Sequence, residues 1–366
     1  MRSNIFWMSF VPIIVALSTF SISVGAKPSQ GEFAGNFTFE NDLFFNTDRY
    51  YTDGVQFEVK RRWTDPAEDP GALLTSACKY LGCEGQTPDV SHYKIGQLMY
   101  TPQRLWIREP QPADRPWAGM LYYAQDASFL NHDGSVLTTI SGQIGITGPY
   151  SYAAQTQKWI HRAFSGTTPR GWSNQIGGEI GLMATVERRS SVGAFSYNPH
   201  SGGAQVRATS HWRIAVGNIM TYAGAGLTFV VGKNLSLVAE RGPGLDTKDN
   251  RLKVQIENKL DSITTRSRSC LVEWLECSAS ASIEARLMAR NIFLDGTLFR
   301  DGPSVESRLL VADASLTGRL DFPLTRSSMT GPWFAQFRVT RRTPEFKSTT
   351  PVHSQSFGAL TIGTEF

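Results

Sequence analysis

Segments in which apolar and polar residues alternate recur along most of this chain, and many are ten residues or longer. In the segment 279–290, Ala, Ile and Leu occupy the odd positions, while Ser, Glu and Arg occupy most of the even ones. A period of two with one apolar face is the pattern of a β-strand that is buried on one side. Twelve such segments predict an all-β protein with strands at residues 33–41, 51–63, 91–101, 117–129, 135–147, 174–188, 204–214, 219–232, 278–290, 305–320, 332–342 and 356–366.

Strands of this kind can build either a soluble β-sandwich or a transmembrane β-barrel, and three features favour the barrel. The strands are long enough for a tilted crossing of a bilayer. Their polar faces carry charges of both signs, which suits a wet interior. The chain ends in GALTIGTEF, which places Leu360, Ile362, Thr364 and Phe366 on one face and is similar to the C-terminal signature of bacterial outer-membrane barrels. We therefore predict one antiparallel barrel of twelve strands with both termini in the periplasm.

The segment from Ile214 to Gly232 is the strongest argument for a membrane helix instead. Its 19 residues carry no charge and are numerous enough to span a bilayer. Four glycines interrupt it, however, and its second half alternates with a period of two. These features predict a strand that follows a tight turn.

The first 26 residues predict export from the cytoplasm. Arg2 precedes an apolar run from Phe10 to Phe20, and the small residues Val24-Gly25-Ala26 follow. This is the arrangement of a secretory signal peptide that is cleaved after Ala26. An uncleaved membrane anchor is the alternative, but the apolar run is short for a spanning helix. We predict a signal peptide at residues 1–26 and one barrel domain at residues 27–366, located in the bacterial outer membrane.

The charge of the exported chain bears on which partners it can bind. Once residues 1–26 are removed, 35 basic residues balance 32 acidic ones, and this gives no support for nucleic-acid binding.

The four cysteines form two close pairs, which in an exported chain predict the disulfides Cys78–Cys83 and Cys270–Cys277. A zinc site is the alternative, but neither pair has the CxxC spacing.

One segment, GPYSYAAQTQKWIHRAFSG between the fifth and sixth strands, predicts a helix. Pro149 can begin it, Ser151 can cap it and Gly166 can end it. Gln157 and His161 are four residues apart, so they share one face of that helix.

The loop between the first two strands, ENDLFFNTDRYYTDG at residues 40–54, is unusually rich in polar residues. If both termini are periplasmic, the loops after strands one, three and five share the cell-surface rim. This loop should then meet the Gln157/His161 helix and the segment YTPQRLWIREPQPADRPWAG. The segments 64–90 and 233–277 would fall on the periplasmic side, where turns are normally short. They are therefore either small appended elements or a sign of a miscounted strand.

An ordered set of motifs in the first half of the chain resembles the outer-membrane lipid A 3′-O-deacylases. The motifs are Asn41-Asp42 at the end of strand one, Tyr51-Thr52-Asp53-Gly54 at the start of strand two, DRPWAG at residues 114–119, and Gln157…His161-Arg162 after Gly-Pro. The resemblance implies a twelve-stranded barrel that uses a divalent cation, usually Ca²⁺. It also implies an activity that removes an acyloxyacyl group from lipopolysaccharide among the lipids of the outer membrane.

The same resemblance implies roles for five residues. His161 is expected to be the general base that activates water, and Gln157 to orient either His161 or the substrate. Asn41, Asp42 and Thr52 are expected to hold the cation and the oxyanion, with Asn41 and Asp42 as metal ligands. Histidine suits the role because it titrates near neutral pH, and a cation would stabilise the charge that develops on an ester carbonyl. In the simplest structural interpretations, His161 is a packed helix residue, Asn41-Asp42 caps a turn and Thr52 is an ordinary strand residue.

We expect the deacylase to act as a monomer. The sequence leaves two other functions open. An outer-membrane phospholipase would hydrolyse esters at the same surface, but it normally uses a Ser nucleophile, and no motif identifies one. The sequence has no G-x-S-x-G motif. A porin-like or adhesin-like barrel without enzyme activity would leave the Gln157/His161 helix and the Asn41-Asp42 loop without a purpose.

Overall fold

The computed structural model describes residues 32–45, 49–62, 72–81, 90–131, 135–164, 168–196, 205–232, 276–322 and 333–365. Within these ranges the chain forms a closed antiparallel barrel of twelve strands, in which neighbours in sequence pair and the first strand pairs with the last. The strands are β1 (Glu32–Asn41), β2 (Tyr50–Arg62), β3 (Val90–Thr101), β4 (Ala118–Leu130), β5 (Val136–Thr147), β6 (Ile180–Ser196), β7 (Gln205–Gly217), β8 (Met220–Gly232), β9 (Glu276–Asn291), β10 (Leu310–Phe322), β11 (Trp333–Arg342) and β12 (Gln355–Thr364). The predicted fold class and strand number are confirmed.

We call the rim at which β1, β3 and β5 end the loop rim, and the opposite one, near Glu32 and Thr364, the terminal rim. Because the strand count is correct, the loops after strands one, three and five do share one rim. β2 and β8 end at the terminal rim, and β3 and β9 begin there. Most of the segments 64–90 and 233–277, which join these strands, lies outside the described residues. The predicted signal peptide and Phe366 lie outside the described residues.

β6 begins later than predicted, at Ile180 instead of residue 174. Trp172–Asn174 forms a 3₁₀ turn, and the backbone N–H of Ile176 bonds to the Trp117 carbonyl outside the ladder. β10 likewise begins later than residue 305. Before β10, the backbone N–H of Val305 bonds to the Leu294 carbonyl and that of Arg308 to the Glu345 carbonyl. In both places, the residues before the strand make hydrogen bonds outside the barrel ladder.

The segment 214–232 contains the end of β7, a turn at Asn218 and Ile219, and β8. The predicted strand after a tight turn is therefore confirmed. Among the described residues, no helix combines the length and the apolarity that crossing a membrane requires.

The two faces of the barrel wall differ as the alternation predicts. Phe57, Ile95 and Tyr123 are exposed and lie opposite one another across β2, β3 and β4. Residues of the other parity face the interior, where Glu58 contacts His92 at 2.7 Å. An apolar exterior around a polar interior is the arrangement of a membrane barrel, not of a soluble sandwich. Further pairs of opposite charge in the interior are Lys94–Asp126, Arg213–Glu187, Arg286–Asp313 and Arg342–Asp313.

The last strand places two residues of the C-terminal segment GALTIGTEF on the outer face. Leu360 and Ile362 lie opposite Phe39 and Phe37 of β1. Phe37 is in turn the partner of the exposed Phe57, so all of these side chains share the exterior.

A helix that the sequence analysis did not predict, α1 (Ala72–Tyr80), lies between β2 and β3 near the terminal rim. It covers part of the outer face of the wall, because the residues it contacts have the same parity as Tyr123. The cluster consists of Leu74, Ala77, Cys78, Ala127, Phe129 and Ile140. Cys78 and Cys277 are each disulfide-bonded. Their predicted partners, Cys83 and Cys270, lie outside the described residues.

Candidate active site

A β-bulge at the start of β2 sets the direction of Thr52. The pairing between β2 and β3 slips between Tyr51 and Asp53, so Thr52 is the extra residue. Bulges of this kind re-aim side chains. Tyr51 turns into the interior, where its hydroxyl bonds to Glu40, while the Thr52 hydroxyl bonds to that of Thr101 at 2.5 Å. The side chains of Tyr51 and Thr52 therefore lie on opposite sides of the wall.

The last strand of the barrel supports this bulge. The backbone N–H of Tyr51 donates to Oε1 of Gln355, the first residue of β12, at 3.2 Å. The Tyr51 ring also packs against Phe357 of the same strand, with ring centroids 4.9 Å apart. The conformation that aims Thr52 therefore depends on contacts from the far end of the chain.

Two acidic residues and an amide lie beside Thr52 at the loop rim. Asn41 ends β1 opposite Asp53, and Asp42 follows it. Asp42 accepts the backbone N–H of Arg49 with Oδ2 at 2.7 Å, which is the turn-capping role expected of such a residue. Asn41, Asp42 and Asp53 are nonetheless at most 2% exposed, which is unusual for a group with two carboxylates.

The predicted helix is present but begins later than Pro149. Gly148–Ser151 forms a 3₁₀ turn, Tyr152 adopts a left-handed conformation with φ of 58°, and the helix α2 (Ala153–Phe164) follows. Ser151 bonds to the Gly148 carbonyl at 2.6 Å. The left-handed residue redirects the chain so that α2 lies against the wall instead of continuing the turn.

One face of α2 packs on the outside of the barrel. Ala153, Gln157, Ile160 and His161 form this face and are buried. Gly119 of β4 permits the close approach, since a Cβ there would overlap both Ser151 and Ala153. The apolar cluster under the helix consists of Met99, Leu105, Trp117, Ala153, Ile160 and Trp172.

Gln157 is held by a tryptophan that the sequence analysis did not identify. The indole N–H of Trp172 donates to Gln157 Oε1 at 2.6 Å. Trp172 packs against Trp117, with ring centroids 5.1 Å apart. His161 lies one turn further along the same buried face and is 2% exposed. Two polar side chains are thus enclosed between an amphipathic helix and the outer wall.

The structure brings the predicted residues to one rim and one side of the wall. Asn41 pairs with Asp53, and Asp53 pairs with Met99 in the next strand. Met99 lies in the apolar cluster under α2, which carries Gln157 and His161. A continuous set of contacts therefore connects the β1–β2 loop to the helix across three strands.

The oxygen donors at this rim fit a hard cation better than zinc. Among the described residues, no group of three or more His, Cys, Asp or Glu side chains is arranged to hold a metal. Asn41, Asp42, Asp53 and Thr52 offer amide, carboxylate and hydroxyl oxygens instead, and these are ligands that Ca²⁺ accepts together with water and substrate. Asp53 is absent from the sequence prediction, although its place between Thr52 and Gly54 within the motif could have indicated it.

The DRPWAG motif connects the interior to the outer wall. Arg115 is fully buried, with its guanidinium 4.4 Å from the centre of the Tyr100 ring and Nη1 3.3 Å from Glu345. Trp117, two residues later, lies on the outer side under α2. The motif therefore fixes the loop after β3 at both faces of the wall.

Aromatic and aliphatic side chains fill part of the barrel mouth beneath this rim. The short helix α3 (Ile292–Asp295) follows β9, and its Phe293 stacks on Tyr100 with ring centroids 4.4 Å apart. Phe293 is completely buried. The cluster around it includes Tyr51, Tyr100, Ala118, Met120, Ile176, Ile219, Ile292 and Phe357.

Comparison with known proteins identifies a family and solved structures to which this chain is similar. The family model described as "Outer membrane protein LpxR" matches residues 10–366. The solved structure of LpxR from Salmonella typhimurium has a TM-score of 0.65 and 17% identity, and covers 91% of this chain and 100% of its own. The autotransporter β domain of Bordetella BrkA, at 9% identity, covers 92% of this chain and 99% of its own with a TM-score of only 0.39. No curated protein matches the sequence.

Proposed function

Because this chain belongs to the LpxR family of outer-membrane proteins, we propose that it is a lipid A 3′-O-deacylase. The observation that supports the proposal most is the enclosure of Gln157 and His161 between α2 and the outer face of the wall. A lipid reaches such a site sideways, with its acyl chains still in the membrane. With the loop rim at the cell surface, the substrate is lipopolysaccharide of the outer leaflet.

The proposed reaction is hydrolysis of the ester that joins the 3′ acyloxyacyl group to the sugar. His161 takes a proton from water while the water oxygen bonds to the ester carbonyl carbon. When the bond from that carbon to the sugar oxygen breaks, the imidazolium returns the proton to the sugar oxygen. The products are the free acyl chain and a sugar hydroxyl, and no covalent enzyme intermediate is required.

The polar group at the loop rim stabilises charge in this proposal. A Ca²⁺-type cation, when bound, supplies positive charge for the developing oxyanion. Asn41 and Asp42 would hold it, and Asp53 and Thr52 have suitable oxygens beside them. All of these residues come from one chain, so a monomer suffices.

The two other functions fit the structure less well. Ser151, at the start of the helix, donates its hydroxyl to the Gly148 carbonyl and packs closely over Gly119, which does not suit the nucleophile of a phospholipase. The apolar cluster around Phe293 occupies part of the barrel mouth, which does not suit an open porin. A porin-like or adhesin-like barrel also gives no reason for a buried histidine on the lipid side of the wall.

The test is the mass of lipid A before and after incubation with purified protein. His161→Ala is expected to lower the rate by roughly 10²–10⁴-fold, the usual contribution of a general base. Gln155→Ala is the matched control, because Gln155 lies on the exposed side of the same helix. Retention of most activity by His161→Ala, with the barrel folded, would contradict the proposal.

A further inference from the structure

The contact between Trp172 and Gln157 fixes which end of the glutamine carboxamide faces the barrel. An indole N–H can only donate a hydrogen bond, so the atom that it meets must be the carbonyl oxygen. The donor–acceptor distance is 2.6 Å, and both side chains are buried. The NH₂ group of Gln157 must therefore point away from Trp172.

That NH₂ group is buried, and no hydrogen-bond partner for it exists among the described residues. A buried donor without a partner is costly, and such groups in folded proteins call for an explanation. Gln157 is one helical turn from His161 on the same face, so its NH₂ group lies in the region to which the ester must come. A carbonyl oxygen of the substrate would satisfy it.

We propose that Trp172 is a positioning residue that holds the Gln157 carboxamide with its NH₂ group toward the ester carbonyl oxygen. The inference rests on the proposed function and adds a residue to it. Without the indole N–H, the nearly symmetric carboxamide can turn over and present its oxygen to the substrate carbonyl. Two carbonyl oxygens repel each other, whereas a fixed N–H donor stabilises the oxyanion.

Trp172 is itself held firmly enough for this role. It begins the 3₁₀ turn Trp172–Asn174, in which Asn174 donates a side-chain N–H to the Arg108 carbonyl at 2.6 Å. Gly171 leaves room for the neighbouring indole of Trp117, since a Cβ at that position would overlap it. The turn and the glycine together set the direction of the Trp172 N–H.

Trp117 provides a matched control within the same aromatic pair. Both indoles are buried and pack against each other, but Trp117 Nε1 has no hydrogen-bond partner among the described residues. Replacing either tryptophan with phenylalanine removes a similar amount of packing. Only the Trp172 variant removes a hydrogen bond to the carboxamide.

The experiment compares kcat and KM of the Trp172→Phe and Trp117→Phe variants on lipid A in detergent micelles. Trp172→Phe should lower kcat by about 10-fold, part of the 10²–10³-fold that loss of an oxyanion donor costs, with little change in KM. Trp117→Phe should stay within about 2-fold of the original protein, well below that loss. Equal kcat values for the two folded variants would overturn the inference.

A double substitution separates positioning from packing. In a Gln157→Ala background, Trp172→Phe should cause no further loss, because the group it positions is already gone. The same loss in both backgrounds would show that the indole only packs. If Trp172→Phe does not fold, Gln157→Glu decides instead. Its carboxylate still accepts the indole N–H but has no NH₂ group, so activity as high as that of the original protein would contradict the inference.

The outcomes also distinguish this inference from the proposed function. Activity in His161→Ala would overturn the deacylase mechanism, and the positioning role with it. An inactive His161→Ala together with equal Trp172→Phe and Trp117→Phe variants would leave the deacylase standing and remove only the role of Trp172.

Discussion

Two helices lie on the outside of the same barrel wall, yet they bury different chemistry against it. α1, near the terminal rim, contributes Leu74, Ala77 and Cys78 to a wholly apolar cluster. α2, at the loop rim, encloses Gln157 and His161 together with apolar residues. Apolar burial alone is enough to hold a helix on a wall. The polar residues under α2 are therefore best explained by chemistry rather than by docking.

The first prediction concerns Asp42, a carboxylate at the loop rim. Asp42→Ala should reduce activity by at least the roughly 10–100-fold that loss of supporting groups costs a metal site. Excess Ca²⁺ should restore part of it if the remaining oxygens still bind. The assay is lipid A mass with and without a chelator. If neither the substitution nor the chelator changes the activity, the loop rim has no more part in the reaction than the terminal rim.

A second prediction displaces α2 while leaving the barrel intact. Gly119→Val should push the helix outward and lower activity by about 100-fold, because misplacing catalytic groups by about 1 Å can cost this much. Gly142→Val is the control, since a Cβ there meets nothing within 4 Å. Both variants should keep the gel mobility of a folded barrel. Equal activities of the two variants would mean that the position of α2 on the wall has no effect on the reaction.

A smaller effect is expected at the bulge. Thr52→Ala removes one hydroxyl and its bond to Thr101 but leaves Asp42 and Asp53 in place. The loss of activity should be about 2- to 10-fold, the equivalent of a net hydrogen bond of about 0.5–1.5 kcal/mol. Thr52→Ser should restore most of it, and a rate loss as large as that of His161→Ala would assign Thr52 a more direct role.

The smallest effect is expected at α1. Reduction of the disulfide at Cys78 should leave the barrel folded and the deacylase rate unchanged. Small loops constrain the unfolded chain by about 3 kcal/mol at most, and α1 holds no group of the proposed reaction. Tryptophan fluorescence and the lipid A assay, before and after reduction, would show this. A fall in activity would indicate that the two helices are coupled through the wall.

The fold could be predicted because strands leave an alternation of apolar and polar residues in the sequence. Parts of the site depend instead on contacts that leave no repeating pattern. Alternation located all twelve strands, and the order of loops placed Asn41 and His161 at one rim. The side of the wall on which they lie was not predictable, because the bulge at Thr52 and the left-handed Tyr152 redirect the chain locally. Trp172 was missed because its partner Gln157 lies 15 residues away and no motif contains both.

The hydrogen bond from Tyr51 to Gln355 has a consequence for biogenesis. The bulge that aims Thr52 belongs to the first hairpin to be synthesised, but one of its supports comes from the last strand. We therefore expect an unclosed precursor to carry an unfinished site, so that hydrolysis begins only when the first and last strands meet. A cell that exports this protein past its own lipids would thus keep the proposed activity dormant until insertion is complete.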